Sequence, residues 1–348
     1  MAKPEHILVI RFSAMGDVAM TVPVVHSLAT QYPDVKITVL SRPFARAFYQ
    51  DLAPNIHFVE ADLKGRHRGV KGLNALYRML NEMEITAVAD LHHVLRSDYL
   101  RMRFKLSNRR TAHVNKHRDK RKQLVAEKNK KLEPLPTAFH NYSEVFARLG
   151  YPVNINFTSI FPTGKGNIRT LPAAIGEKKH FQEWIGIAPF AAHQGKIYPI
   201  EKIAEVAEKL LQRHPNCRLF FFGKGEKEEQ LIRNITQNQP RCTFVAEVLG
   251  TLNDELILMS HLNVMLSMDS ANMHLASLVN TPVVSVWGAT HPCAGFLGWN
   301  QRQENIVQHD LDCRPCSIFG DKECKRNDWA CIRAIDADEV IAKIERLL

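Results

Sequence analysis

Short apolar runs alternate with segments of helical spacing along almost the whole chain. In the first half the runs Ile7–Ile10, Lys36–Leu40, His57–Ala61, Thr86–Asp90 and Thr111–Asn115 read as strands. Between them, apolar positions recur at helical spacing over Val18–Gln31 and Val70–Met83. In the second half, strands are predicted at Trp184–Ala188, Arg218–Phe222, Thr243–Ala246, Val264–Met268 and Val283–Val286, and helices at Ile200–Arg213, Glu226–Thr236, Glu255–Ser260 and Asn272–Leu278. Short, mostly apolar strands that alternate with helices predict parallel sheets covered on both faces. The fold class expected is α/β, with two Rossmann-like, doubly wound domains facing a central cleft.

Residues 156–182 have no clean period and carry Gly, Pro and Thr, which reads as a linker. The expected division is 1–165, 166–335 and a C-terminal helix in 336–348 that can pack back on the N-terminal domain. A length of 348 residues with 45% apolar composition suits two cores. The chain has no apolar run of about 18 residues and no signal-peptide pattern at its start, so a cytoplasmic protein is expected.

Charge adds a local feature. The net charge is +10, but residues 101–131 alone hold 13 Lys or Arg against 2 Asp or Glu, leaving the rest nearly neutral. A smaller basic cluster spans Lys64 to Lys71. Such runs attract polyanions: an acidic lipid surface, a phosphorylated substrate or nucleic acid. Nucleic acid is the weaker alternative, because Phe104 is the sole aromatic side chain of the long run and base stacking is poorly supplied.

The first strand runs into "RFSAMGDVAMTVP", a turn with one glycine where a dinucleotide loop would have three. No P-loop, G-x-S-x-G or H-E-x-x-H pattern occurs anywhere. Asp17 falls in the first turn of a helix at a strand's carboxyl end. It can serve the helix dipole there, or act as a general base. In "MDSANMHLASL", Asp269 ends a strand and Ser270 precedes a helix whose free N–H groups form an anion site; the plainer reading is an N-cap and a core histidine, His274. Lys196, in "GKIYP", can meet a phosphate as a point charge. Glu226, after the turn "FFFGKG", can accept ribose hydroxyls. Together these place a nucleotide-diphosphate site in the second half. Cys313, Cys316, Cys324 and Cys331 give C-x2-C-x7-C-x6-C; packed reduced thiols or a structural zinc both fit that spacing.

"HILVIRFSAMGDVAMTVPVVHSL", "DLHHVLRS", "GKIYP", "FGKGEKEE", "MDSANMHLASLVNTPVVSVWGATHP" and the cysteine-bearing tail resemble, in order, segments of the bacterial lipopolysaccharide heptosyltransferase family. The resemblance runs over nearly the whole chain. It implies a GT-B fold and an inverting, metal-independent sugar transfer with no cofactor. It also implies that Asp17 deprotonates the acceptor, that Lys196 and the helix start at Ser270, Ala271 and Asn272 meet the departing diphosphate, that Glu226 holds ribose, and that Asp269 and His274 shape the donor site. Ser13 and Gly16 would let sugar and acceptor approach the loop; Lys64, Arg66, Arg68 and Arg96 would face an anionic, lipid-linked saccharide at the inner face of the cytoplasmic membrane. ADP-heptose is the default donor. Ala271 stands where the family usually has glycine, a departure that bears on donor identity. A non-catalytic nucleotide-sugar-binding relative is the further alternative.

Overall fold

The computed structural model describes residues 5–348. The chain divides into two compact units: residues 1–116 with 136–160, and residues 117–135 with 161–348.

The first unit holds a five-stranded parallel sheet of order β3-β2-β1-β4-β5, built from β1 (His6–Ile10), β2 (Lys36–Ser41), β3 (Ile56–Glu60), β4 (Ala87–Asp90) and β5 (Arg110–His113). β1 is buried along its full length, as expected for a central strand covered on both faces. Leu8 and Ile10 pack with Leu73, Leu76, Leu80, Leu100 and Phe104 of two crossover helices. The predicted helix Val18–Gln31 is two helices, Met15–Ala19 and Val22–Gln31. Pro23 causes the break, since it has no N–H to give to the carbonyl of Ala19. The Thr21 hydroxyl donates to the Val18 carbonyl at 2.6 Å in the gap. Two helices not singled out by periodicity, Leu95–Leu106 and Ala138–Arg148, complete the unit.

The second unit holds a six-stranded parallel sheet of order β11-β10-β9-β6-β7-β8, formed by β6 (Glu183–Ala188), β7 (Cys217–Phe221), β8 (Cys242–Phe244), β9 (Val264–Met268), β10 (Val283–Trp287) and β11 (Ile306–Gln308). Its core joins Ile185, Ile187, Leu219, Phe221, Leu266 and Val286 to the helix Ile200–Arg213 and to the last helix, Ala337–Glu345.

Three expectations about organisation differ from this arrangement. The last helix packs on its own unit, against Ile200–Arg213, where Val340, Ile341 and Ile344 are fully buried and Asp338 pairs with Lys209 and Arg213 at 2.7 and 2.8 Å. The segment read as a linker is packed from residue 161 onward: Leu171 and Ile175 are buried, and the Gly166 N–H donates to the Ser260 hydroxyl at 3.0 Å. The basic run is divided between the two units. Residues 101–116 belong to the first unit, and 117–135 are strapped to the second. There, Lys130 Nζ donates to the carbonyls of Asp312, Cys313 and Arg314 at 3.1, 2.7 and 3.0 Å, and Leu124 and Leu135 pack with Ala294. Arg101, Arg110 and Arg121 of the run are also committed, to Asp98, to Glu5 and to the ring of Phe296. Lys105, Arg118, Lys120, Lys122, Lys128 and Lys131 stay exposed. No helix among the described residues is long and apolar enough to cross a membrane.

Candidate active site

In an open parallel sheet the strand order reverses at one point, and the loops leaving the two strands there diverge to open a crevice. In the first unit that point lies between β1 and β4, so the loop carrying Asp17 and the loop carrying His92 leave neighbouring strands. In the second unit it lies between β6 and β9, which are followed by Lys196 and by Asp269–Ser270. Most of the residues singled out in the sequence thus cluster at the two switch points.

Asp17 is the third residue of the helix Met15–Ala19. Its Oδ2 accepts the Ala14 N–H at 3.1 Å, half of a capping box, and pairs with the Arg11 guanidinium at 2.8 Å. The carboxylate therefore serves the helix start, yet its side chain keeps 31% of its exposure and remains open to a substrate. Arg11 is buried and donates to the Leu91 carbonyl at 2.7 Å. Burial works against its charge, but Asp17, followed by Tyr142, more than offsets this and its pKa is raised. Gly16 is buried beside Asp17, and Ser13 is half-buried in the same loop.

His92 lines the neighbouring loop and accepts the Phe12 N–H on Nδ1 at 3.4 Å. Burial first, then Arg11 and Lys116, push its pKa down to about 3. A neutral folded imidazole and an ordinary unfolded one give a defined linkage. The unfolded chain binds the extra proton below about pH 6.5, so stability is full above that value and is lost as pH falls toward 3. Chemical denaturation at pH 7 and pH 5 is expected to show lower stability at pH 5, with a smaller drop in His92→Gln.

Lys64, Arg66 and Arg68 are exposed on the turn after β3, which Asp62 builds by accepting the N–H groups of Gly65 and Arg66 at 2.8 and 3.0 Å. Arg96 is exposed at the start of the helix after β4. All four lie on the carboxyl edge of the sheet that also bears Asp17.

In the second unit Lys196 Nζ pairs with Asp269 Oδ2 at 3.3 Å, and the Thr290 hydroxyl donates to the same oxygen at 2.8 Å. The pair is largely buried, with 14% and 7% of the side chains exposed. Ser270 is the N-cap of the helix Ala271–Leu278, but its side chain makes no capping bond and lies 3.3 Å from the Ser267 hydroxyl. The first N–H groups of that helix, at Ala271 and Asn272, have no helical partner by construction. His274 is buried further along it, as a core histidine would be. Glu226 is exposed at the start of the helix Glu226–Thr236 after β7, while Glu228 and Glu229 turn back to accept the N–H groups of Lys224 and Gly225.

Sequence reasoning missed what holds Lys196. The tail loop folds under it: a Cβ on Gly320 would lie 2.5 Å from Lys196 Cγ, and Gly320 has φ +79°. Ser317 Oγ shapes that turn by accepting the N–H groups of Phe319, Gly320 and Asp321. Buried Arg314 ties the loop to the end of β10 through the carbonyls of Trp287, Gly288 and Thr290. The clue in the sequence was an arginine and a glycine inside a stretch otherwise noticed only for its cysteines. Gly320→Ala is expected to cost about 1–2 kcal/mol, because a left-handed backbone penalises a Cβ, and to displace the Lys196 side chain it would clash with. Thermal unfolding checks the cost.

Cys313, Cys316, Cys324 and Cys331 are reduced and line one cavity of about 700 Å³ with Trp329 and Lys130. Burial pushes the Cys331 thiol up to about 11. Among the described residues no group of three or more His, Cys, Asp or Glu side chains is arranged to hold a metal ion, so the zinc alternative gains no support from the geometry.

A profile of glycosyltransferase family 9 (heptosyltransferase) matches residues 73–327. Lipopolysaccharide heptosyltransferase 3 of Escherichia coli is 24% identical over 96% of both chains. Among solved structures, the family 9 glycosyl transferase of Veillonella parvula superposes with a TM-score of 0.74 at 19% identity, covering 100% of this chain and 98% of that one. The ADP-heptose lipopolysaccharide heptosyltransferase II of E. coli gives 0.69 at 18% identity over 98% of each. The fold is therefore GT-B, and with a family match over most of its length the chain belongs to glycosyltransferase family 9, the heptosyltransferases.

Proposed function

We propose that the enzyme transfers a sugar, with heptose from ADP-heptose as the default donor, to a lipopolysaccharide core acceptor by a single inverting displacement. The similarity to two E. coli enzymes named as lipopolysaccharide heptosyltransferases, one of them with ADP-heptose in its name, supports this choice. One observation carries the mechanism: a carboxylate stands at the switch point of one sheet, and a lysine beside a helix start stands at the switch point of the other.

Asp17 takes the proton of the acceptor hydroxyl as its oxygen bonds to the anomeric carbon. The bond from that carbon to the diphosphate oxygen breaks, and the nucleoside diphosphate leaves with the electron pair. Lys196 and the N–H groups at Ala271 and Asn272 meet the charge growing on that oxygen, so the step needs no metal. Asp269 holds Lys196 in place, and Thr290 holds Asp269. Glu226 faces the ribose. Lys64, Arg66, Arg68 and Arg96 face the phosphates or acidic sugars of the acceptor, which is taken from the inner face of the cytoplasmic membrane. The scarcity of aromatic side chains in the basic run counts against the nucleic-acid reading.

A ligand that binds only the folded state raises apparent stability. Thermal unfolding with ADP-, UDP-, GDP- and CMP-linked sugars is expected to show a shift with the ADP-sugar alone. A shift confined to a UDP-sugar would overturn the donor assignment.

A further inference from the structure

The helix Leu95–Leu106 is apolar on two opposite sides. Leu100 and Phe104 are buried against the sheet. Leu95, Met102 and Leu106 recur at i, i+7 and i+11 and form a stripe on the outward side, while Tyr99 between them packs against the core. The three are strongly exposed: Leu95 at 90%, Met102 at 53% and Leu106 at 79%.

The neighbouring crossover helix, Gly69–Asn81, runs in the same direction, since both connect parallel strands. Its Asn74 accepts from Tyr99 and Arg103, so Val70, one turn earlier, falls toward the Leu95 end; it is 63% exposed. Solvent-facing apolar rows of this length normally have something to cover them.

We infer that this stripe is a docking surface for an anionic lipid bilayer. The charges beside it select that occupant. Arg96 and Arg103 flank one side of the stripe, and Lys105 flanks the other. Asp98, also at its edge, is spent on Arg101 at 2.7 Å. Toward the Val70 end stand exposed Arg68 and Lys71. A second copy of the chain would set these cations against their own kind, whereas an anionic headgroup layer neutralises them as the leucines enter the acyl boundary. The surface deepens the lipid-linked acceptor proposed above and rests on that reading only for its purpose, since it presents the acceptor edge of the first unit to the bilayer.

Sedimentation of the full chain with vesicles tests the surface. Binding is expected to phosphatidylcholine vesicles containing one quarter phosphatidylglycerol, and to be much weaker to phosphatidylcholine alone. The triple variant Leu95→Ser, Met102→Ser, Leu106→Ser is expected to bind the anionic vesicles at least about tenfold more weakly. Its thermal midpoint and its turnover on a lipid-free acceptor saccharide should match the parent's. The inference is overturned if the parent ignores anionic vesicles or if the variant binds them equally well. It is also overturned if the variant dissolves a dimer seen by light scattering, because a second copy then covers the stripe, or if it loses turnover on the lipid-free acceptor, because the stripe is then part of the acceptor site. A chain that docks through the stripe but moves no heptose leaves the surface standing and defeats only the proposed substrates.

Discussion

Asp17→Asn is expected to lower kcat by about 10²–10⁴-fold, the usual contribution of a positioned general base, with little change in donor affinity. The variant keeps the shape of the side chain and its capacity to accept the Ala14 N–H. It loses the charge that pairs with Arg11 and the ability to take a proton. A stability cost is expected too, because Arg11 is buried and its guanidinium would then lack its carboxylate. Thermal unfolding separates the two effects: a folded variant that binds the ADP-sugar yet turns over slowly identifies a chemical role. Asp17→Asn turning over at the parent rate would remove Asp17 from the mechanism.

Lys196→Gln is expected to cost about 10²–10³-fold in kcat, the scale of a lost donor to charge developing in the transition state. The leaving diphosphate carries more charge on its bridging oxygen in the transition state than in the ground state. Loss of the lysine should therefore reduce kcat more than it raises the KM for the nucleotide sugar. The variant also strips Asp269 of its cation, so Asp269→Asn alone and the double variant belong in the same series. If Lys196 serves only to neutralise buried Asp269, the double variant recovers most of the rate. If it meets the diphosphate, the double variant stays as slow as Lys196→Gln. The second result is expected.

The strands were legible in the sequence because most hold a short run dominated by apolar residues, and β1, β2, β6, β9 and β10 fall within a residue or two of where those runs begin and end. The helix Leu95–Leu106 was not, and the reason is physical. With apolar residues facing both core and solvent, it has no single-sided period to detect, and the same distribution marks it as a surface with a partner. The short β11 (Ile306–Gln308) was missed because three residues give no pattern. The strap of residues 117–135 was legible as charge but not as structure, since it is held by Lys130 on backbone carbonyls that no side-chain pattern announces.

At the candidate site, Asp17, Lys196, Asp269 and Ser270 were legible because chemistry-bearing residues stood directly after strands. What supports them was not. Arg11, His92, Thr290, Gly320 and Arg314 act through contacts between segments far apart in sequence, which only the sheet order brings together. Gly320 shows the limit well, since its importance lies in the space a side chain would take from Lys196.

The central claim is direct displacement by an acceptor oxygen that Asp17 deprotonates, with the sugar leaving a diphosphate held by Lys196. The stereochemistry of the product tests it most directly. Transfer from ADP-heptose to a lipopolysaccharide core acceptor, followed by NMR of the new glycosidic linkage, should give an anomeric configuration opposite to that of the donor. Retention of the donor's configuration would contradict the account.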